Sequence, residues 1–384
     1  MTRRMPTKAL LNTAPTNRSR SRLRPAAAAL LAATLVIGAL LCILAVAGPA
    51  NLFATTTNKQ ALTVEPKHPS CGYSAKLVPN CGRWWGVAPM ALTRQPLQIA
   101  LPKEERFAGR RMDIVHAYHT NGQLFPTAAE RAVARAPGAN RLLLLNWKPA
   151  TDLSWRQVAQ GAADARIDRL AAHIRSTFRQ RFFLAIYHEP EDNVRQVPGS
   201  GYRAEDYAAM FRHVVARLRA DKVTWAVTVM NYMGFVNWTA RSWFPKLWPG
   251  NAYVDWIGID PYGTGAAKTS YTANTFSTLI NRTGGSFPGF YTWATKTHPG
   301  KPMMLAEWGV GSAKGSYGGQ ARFFDNVAAS LKDYPMLKAL VYFDIPAPPP
   351  DGIYTYLAAE NSSSLTAYRR LVHTPSLVGP TVRY

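Results

Sequence analysis

Eight short apolar runs recur along the chain, at 84–88, 112–118, 141–147, 182–188, 223–230, 253–260, 302–307 and 338–344. Each reads as a strand buried on both faces, because a parallel strand covered on both sides is almost continuously hydrophobic. Between the runs the period changes. In 152–178, Trp155, Val158, Ala162, Ile167, Leu170, Ala171, Ile174 and Phe178 recur at three- and four-residue spacing, which predicts an amphipathic helix. The segment 203–220 places Tyr207, Met210, Phe211, Val214 and Leu218 on one helical face, and 318–333 does the same with Phe323, Phe324, Val327 and Leu331. Eight strand–helix units in roughly 290 residues predict an α/β fold of the (β/α)8 barrel type over 83–376. A doubly wound open sheet would alternate in the same way, but no Gly-rich phosphate loop follows the first run.

The chain ahead of the barrel has a different texture. Residues 1–25 are basic and aperiodic and read as a cytoplasmic tail. Residues 26–48 carry no charge and are about long enough to span a bilayer, with positive charge immediately before them. They predict a transmembrane signal anchor or a cleaved signal peptide, with the uncleaved anchor favoured, and in either case an exported protein in contact with a membrane. Residues 49–82 read as a linker that ends in a Cys71–Cys81 loop. An oxidising compartment would join those two cysteines, since neither a further Cys nor a nearby His completes a metal site; Cys42 lies within the apolar segment as a small hydrophobe.

The formal net charge of +23 first suggests nucleic acid. Seven of the basic groups fall in residues 1–24, however, and the remaining +16 is scattered without a Lys/Arg run or a zinc-finger spacing. No nucleic-acid partner is expected. A solvated basic surface is the plainer reading, and attraction to an acidic envelope polymer the sharper one. A monomer is expected.

The candidate chemistry sits where the apolar runs end. The fourth run breaks off in His188, Glu189, Glu191 and Asp192, and the seventh ends in Glu307. Catalytic groups of parallel barrels lie at the C-terminal ends of strands. Glycosidic bonds need one carboxyl group to protonate the leaving oxygen and a second across the sugar, about 5–5.5 Å away in retaining enzymes. Partial burial beside Tyr187, His188 and Trp308 would lift the pKa of whichever carboxyl acts as acid. Neither a His-x-His or His-Glu-x-x-His metal motif near the pair nor a Gly-x-Ser-x-Gly elbow is present, so no metal and no cofactor are expected.

The segments GRRMDIVHAYH, WRQVAQGAADARIDRLA, YHEPE, WPGNAYVDWIGIDPYG, KPMMLAEWG, and ALVYFD followed by LTAYRRL occur in an order that resembles glycoside hydrolase family 26, a clan-A group of retaining β-mannanases and related enzymes. The resemblance spans about Trp84 to Arg370. It implies Glu189, preceded by His188, as the acid/base and Glu307 as the nucleophile. It also implies that Asp260 and Tyr262 follow the sixth strand, with the Tyr262 hydroxyl bonded to Glu307. The implied substrate is a β-1,4-mannan-like polysaccharide. Another β-glycan is the alternative within the clan, and a non-catalytic glycan-binding barrel the alternative outside it. Two departures stand out: Ala185 where many family mannanases carry Arg, and Pro190-Glu191-Asp192-Asn193 where they tend to follow His-Glu with Met-Asn. Subsite contacts should therefore differ.

Other residues are candidates to line the mouth. His116 is read as a sugar contact or a structural histidine, and His119 more readily as structural. Trp147, Trp308 and Tyr232 are the expected stacking platforms, with Trp85, Trp238 and Tyr342 left open. Asn231 is a possible hydroxyl partner, and Glu191 and Asp192 are extra subsite carboxylates or solvated loop charges.

Overall fold

The eight apolar runs form eight strands that close on themselves. In a computed structural model they are β1 (Trp84–Pro89), β2 (Ile114–Thr120), β3 (Leu142–Lys148), β4 (Phe182–Ile186), β5 (Ala226–Tyr232), β6 (Trp256–Ile259), β7 (Met303–Ala313) and β8 (Leu337–Asp344). Each pairs in parallel with its successor, and β8 pairs with β1 through Trp84 and Ala339 to complete the barrel. The structure describes residues 71–90, 93, 95–264, 275–313, 318–346, 354–355, 357–359 and 361–384.

The period-two alternation sorts the strand side chains into two cores. Trp84, Ile114, Leu142, Leu144, Phe183, Ala185, Val227, Val229, Trp256, Met304, Ala306, Ala339 and Val341 fill the barrel interior. Their neighbours, among them Leu143, Leu145, Leu184, Ile186, Met230, Ile257, Leu305 and Leu340, face outwards into the helical layer. That layer includes the helices Leu97–Ala108, Asp164–Thr177, Ala204–Ala220 and Gly318–Ser330. The single helix expected over 152–178 is two, Trp155–Ala159 and Asp164–Thr177. Gly161 breaks it with φ +93°, a left-handed conformation that suits glycine.

The residues read as the end of a linker form part of the barrel floor. Cys71 and Cys81 are disulfide-bonded, which is consistent with an oxidising, extracytoplasmic compartment. The loop between them inserts Leu77 into the inner core beside Val382. Trp84 Nε1 donates to Leu77 O, and Trp256 Nε1 donates to Lys76 O. By contrast, the segment 26–48 and Cys42 lie outside the described residues, and among the described residues no helix is long and apolar enough to cross a membrane. The described fold therefore contains no membrane span, contrary to expectation, and gives no support to a membrane partner or an anchored localisation.

Two buried arrangements of ionisable groups tie strands to the helix Leu97–Ala108, one at the entry to β3 and one at the end of β8. Arg141, at the entry to β3, donates Nε and Nη2 to the two carboxylate oxygens of Glu105 at 2.9 Å each, and Nη1 to Val133 O and Ala139 O. Arg141→Met would strand the Glu105 carboxylate in the interior, and breaking a buried pair in this way costs about 3–5 kcal/mol. Urea unfolding should show that loss; a loss below about 1 kcal/mol, the value of a solvated pair, would contradict it.

Glu104 and Asp344, both buried, share a hydrogen bond, and Ala358 N donates to Asp344 Oδ1. Burial and then the Asp344 charge push the Glu104 carboxyl up to about 10 from an ordinary 4.5. The folded state therefore binds more protons than the unfolded chain between those two values, and this site loses stability as pH rises through that window. Glu104→Gln should flatten the fall in urea midpoint between pH 5 and pH 9 and raise the midpoint at pH 9. Parallel pH curves for the two proteins would contradict this assignment.

Candidate active site

The inward parity that builds the inner core continues, at the C-terminal ends of the strands, into polar residues. On β2 it passes from Ile114 to His116 and Tyr118, and on β5 from Val229 to Asn231. On β6 it passes from Trp256 through Gly258 to Asp260. A Cβ on Gly258 would lie 2.3 Å from Asn231 Oδ1, so glycine here leaves the space that the Asn231 side chain occupies. At two acidic positions the strand backbone departs from regularity. On β7 the pairing register with β8 shifts between Leu305 and Trp308. Ala306 faces inwards, Trp308 faces the helical layer, and Glu307 between them turns into the mouth. At the end of β4, Tyr187 (φ +51°) and Glu189 (φ +52°) both adopt the left-handed conformation. Non-glycine residues held there carry strain that clusters at functional sites. The Glu189 N–H is pinned to Asn231 O at 3.0 Å.

Glu189, Asp260 and Glu307 consequently converge, with one carboxyl oxygen of each within 4.8 Å of the others. Glu307 is 4% exposed, Asp260 is fully buried and Glu189 is partly exposed at the rim. Tyr118 donates its hydroxyl to Glu307 Oε1 at 2.8 Å, and Tyr262 donates to Oε2 at 2.7 Å. The Glu307 N–H is donated to Asp260 Oδ1 at 2.8 Å, and Asn231 Nδ2 is donated to Asp260 Oδ2 at 2.7 Å. Burial first, and then the charges of Glu307 and Glu189, hold the Asp260 carboxyl well above the usual carboxylate range. Burial and the Glu307 charge likewise keep both tyrosines protonated as donors. His116 packs on Tyr118, with ring centroids 4.4 Å apart and Nδ1 3.3 Å from the phenol oxygen. Burial pushes it down to about 4, so it is a neutral imidazole that backs the tyrosine.

Three carboxyl groups at this spacing also make an oxygen donor set that could hold a hard cation. Both oxygens of Asp260 and both of Glu307 nevertheless already accept a hydrogen bond from the protein. The protein's own donors thus fix the orientation of both carboxyl groups.

The structure brings Glu189, Glu307, Asp260, Tyr262 and Asn231 together, with His188 at the rim, its ring 5.7 Å from that of Tyr118. Asn231 is buried against Asp260 rather than open to a ligand. The expected stacking platforms are elsewhere: Trp147, Trp308 and Tyr232 are all fully buried. Trp147 and Tyr232 follow the outward parity of Leu145 and Met230, and the β7 irregularity sends Trp308 the same way. Trp147 donates its indole N–H to Asn121 O and packs on Phe125; Trp308 lies among Trp85, Phe324 and Tyr342, and Tyr232 among Phe244, Phe290 and Trp293. Their rings are committed to the layer between sheet and helices. His119 is structural too, stacked on Phe125 and 3.0 Å from Glu130.

Tyr118 is the residue that sequence reading missed. The alternation places residue 118, not 119, on the face of His116, and that was the signal available.

No family model matches the chain. Endoglucanase H of Acetivibrio thermocellus is 24% identical over 267 residues, which cover 68% of this chain and 27% of that protein. Beta-1,3-xylanase TXYA of a Vibrio species is 30% identical over 108 residues, 27% of this chain and 21% of that protein. The chain thus spans about a quarter of the length of these curated relatives. Among solved structures, a GH26 β-mannanase from Bacteroides ovatus superposes with a TM-score of 0.54 at 16% identity, covering 77% of this chain and 90% of that one. The GH26 domain of a Prevotella bryantii endo-β-mannanase/endo-β-glucanase gives 0.51 at 12% identity, over 79% and 92%. Bacillus subtilis mannanase man26 gives 0.53 at 12%, over 77% and 86%. Over most of its length, this chain has the barrel fold of the glycoside hydrolase family 26 mannanases.

Proposed function

We propose that the chain is a retaining glycoside hydrolase that cleaves a β-linked polysaccharide of the β-1,4-mannan type. The observation that carries this reading is the approach of the Glu189 and Glu307 carboxyl groups to within 4.8 Å. That is nearer the roughly 5–5.5 Å of retaining enzymes than the 6.5–9.5 Å that leaves room for a water in inverting ones. The surroundings divide the labour. Glu307 receives a phenolic hydrogen bond on each oxygen, which fixes its orientation and aims it as a nucleophile. Glu189 stands at the rim, where it can reach a departing oxygen.

In the first step a Glu307 oxygen bonds to the anomeric carbon as the glycosidic C–O bond breaks, and Glu189 passes its proton to the leaving oxygen. In the second, Glu189 takes a proton from water, whose oxygen displaces Glu307 and restores both carboxyls. Asp260 holds the Glu307 backbone, and burial together with the neighbouring carboxylate charge disfavours a further negative charge on it.

The solved barrels that this chain resembles are named as mannanases, which supports mannan. Endoglucanase H and the β-1,3-xylanase carry names that point to other β-glycans. Together with Ala185 and the Pro190–Asn193 turn, they make a glucan or xylan the alternative.

Reducing-sugar release from β-mannan, glucomannan, β-glucan and xylan tests the reading. Release should be greatest from a mannan. Glu307→Ala should abolish it, and Glu189→Ala should lower it about 10²- to 10⁴-fold, the usual contribution of a general acid. Silence on all four polymers, or activity that survives Glu307→Ala, would sink the proposal. Tyr118→Phe and Tyr262→Phe each remove one hydrogen bond to a charged group, worth about 1.5–3 kcal/mol. Each should cost about 10- to 100-fold in kcat with the fold intact, and unchanged kcat in both would contradict the role given to the phenols.

A further inference from the structure

Glu191 lies two residues beyond Glu189, in the 3-10 turn Pro190–Asn193, and is fully buried. It is thus neither a subsite carboxylate nor a solvated loop charge. Its Oε2 accepts the Met233 N–H at 3.1 Å and its Oε1 accepts the Gly234 N–H at 3.0 Å. Gly234 has φ +71°, and a Cβ there would lie 2.5 Å from Ile259 Cδ1, so the chain passes closely enough to present both amides only as glycine. Among the described residues, the titratable groups that face Glu191 are Asp192 beside it, Tyr207 from the helix Ala204–Ala220 and Tyr232 from β5; none is a cation. A carboxyl group buried without a counter-charge is costly to keep, and burial raises this one to about 7. Its two backbone partners are what it gains in return.

Those partners belong to the segment that also holds Glu189. Asn231 O accepts the Glu189 N–H, and two residues further on the amides of Met233 and Gly234 take the Glu191 carboxylate. The strained stretch 189–191 is therefore stapled to 231–234 at two points, one of them a side chain. We infer that Glu191 is a positioning residue for Glu189, fixing the left-handed backbone from which the acid/base carboxyl is presented. This rests on the proposed role of Glu189 as general acid.

Glu191→Gln keeps the size but turns an NH2 group towards one of the two amide donors. Two readouts follow, both on the full barrel. The first is kcat/KM, which reports the glycosylation step, on phenyl and 2,4-dinitrophenyl β-mannobiosides. The dinitrophenolate leaves without a proton, so damage that acts through a misplaced acid should fall on the phenyl substrate. The expected loss there is about 10- to 100-fold, as for misplacement of a catalytic group, against less than about threefold for the dinitrophenyl substrate. Equal losses on the two substrates would overturn the inference. The second readout needs no activity: the Glu189 amide should exchange hydrogen at least about tenfold faster in Glu191→Gln, with the amides of β1–β3 unchanged. If the parent protein hydrolyses neither glycoside, the proposed function fails and this exchange measurement alone decides on the staple. An unchanged Glu189 amide would then overturn it.

Discussion

The site depends on a single requirement, that the Glu307 carboxylate be buried in the barrel mouth without losing its hydrogen bonds. An ion moved out of water must be matched by donors aimed at it, or it neutralises. Here the donors are two phenols, one from β2 and one from the segment after β6, and they occupy one oxygen each. Everything around them can be read as support for that match. His116 backs Tyr118, and Phe343 meets the rings of both tyrosines edge-on at 6.3 and 6.0 Å. Asp260 anchors the Glu307 backbone and is itself anchored by Asn231, for which Gly258 makes room. Five strands thus contribute to the placing of one carboxylate.

The barrel that supplies those strands was largely legible, because burial on both faces leaves a strong mark. All eight runs became strands, with ends displaced by a few residues. The displacements have local causes. β4 stops at Ile186, before the expected end at 188, because Tyr187 takes a positive φ. The extended apolar pattern of 152–178 concealed the Gly161 break, since residues on both sides of it pack on the same layer. The role of residues 71–82 was not visible at all. Their polar, Pro- and Gly-containing texture is that of a linker, and only the insertion of Leu77 beneath Trp84 reveals a floor.

The two carboxyl positions were legible as ionisable residues at the ends of apolar runs. Side-chain direction was harder to read. Strict alternation assigns Trp147 and Tyr232 to the outer face and Tyr118 to the inner one, and applying it would have exchanged two expected platforms for a missed donor. Alternation fails at Glu307 and Trp308, where the β7 irregularity reverses it, and at Tyr187, where the backbone strain does. Backbone departures of this kind have no clear mark in a single sequence, and here they occur at the two residues proposed to do the chemistry.

Double displacement requires Glu307 to form a covalent bond to sugar. A 2-deoxy-2-fluoro-β-mannosyl fluoride supplies a good leaving group and slows both steps, so that the glycosyl-enzyme accumulates when the second step becomes limiting. Intact mass and peptide mapping after incubation should find one fluorosugar per chain, esterified to Glu307 and absent from Glu307→Ala. An adduct on Glu189 or Asp260, or hydrolysis of the reagent with inversion and no adduct, would contradict the double-displacement mechanism.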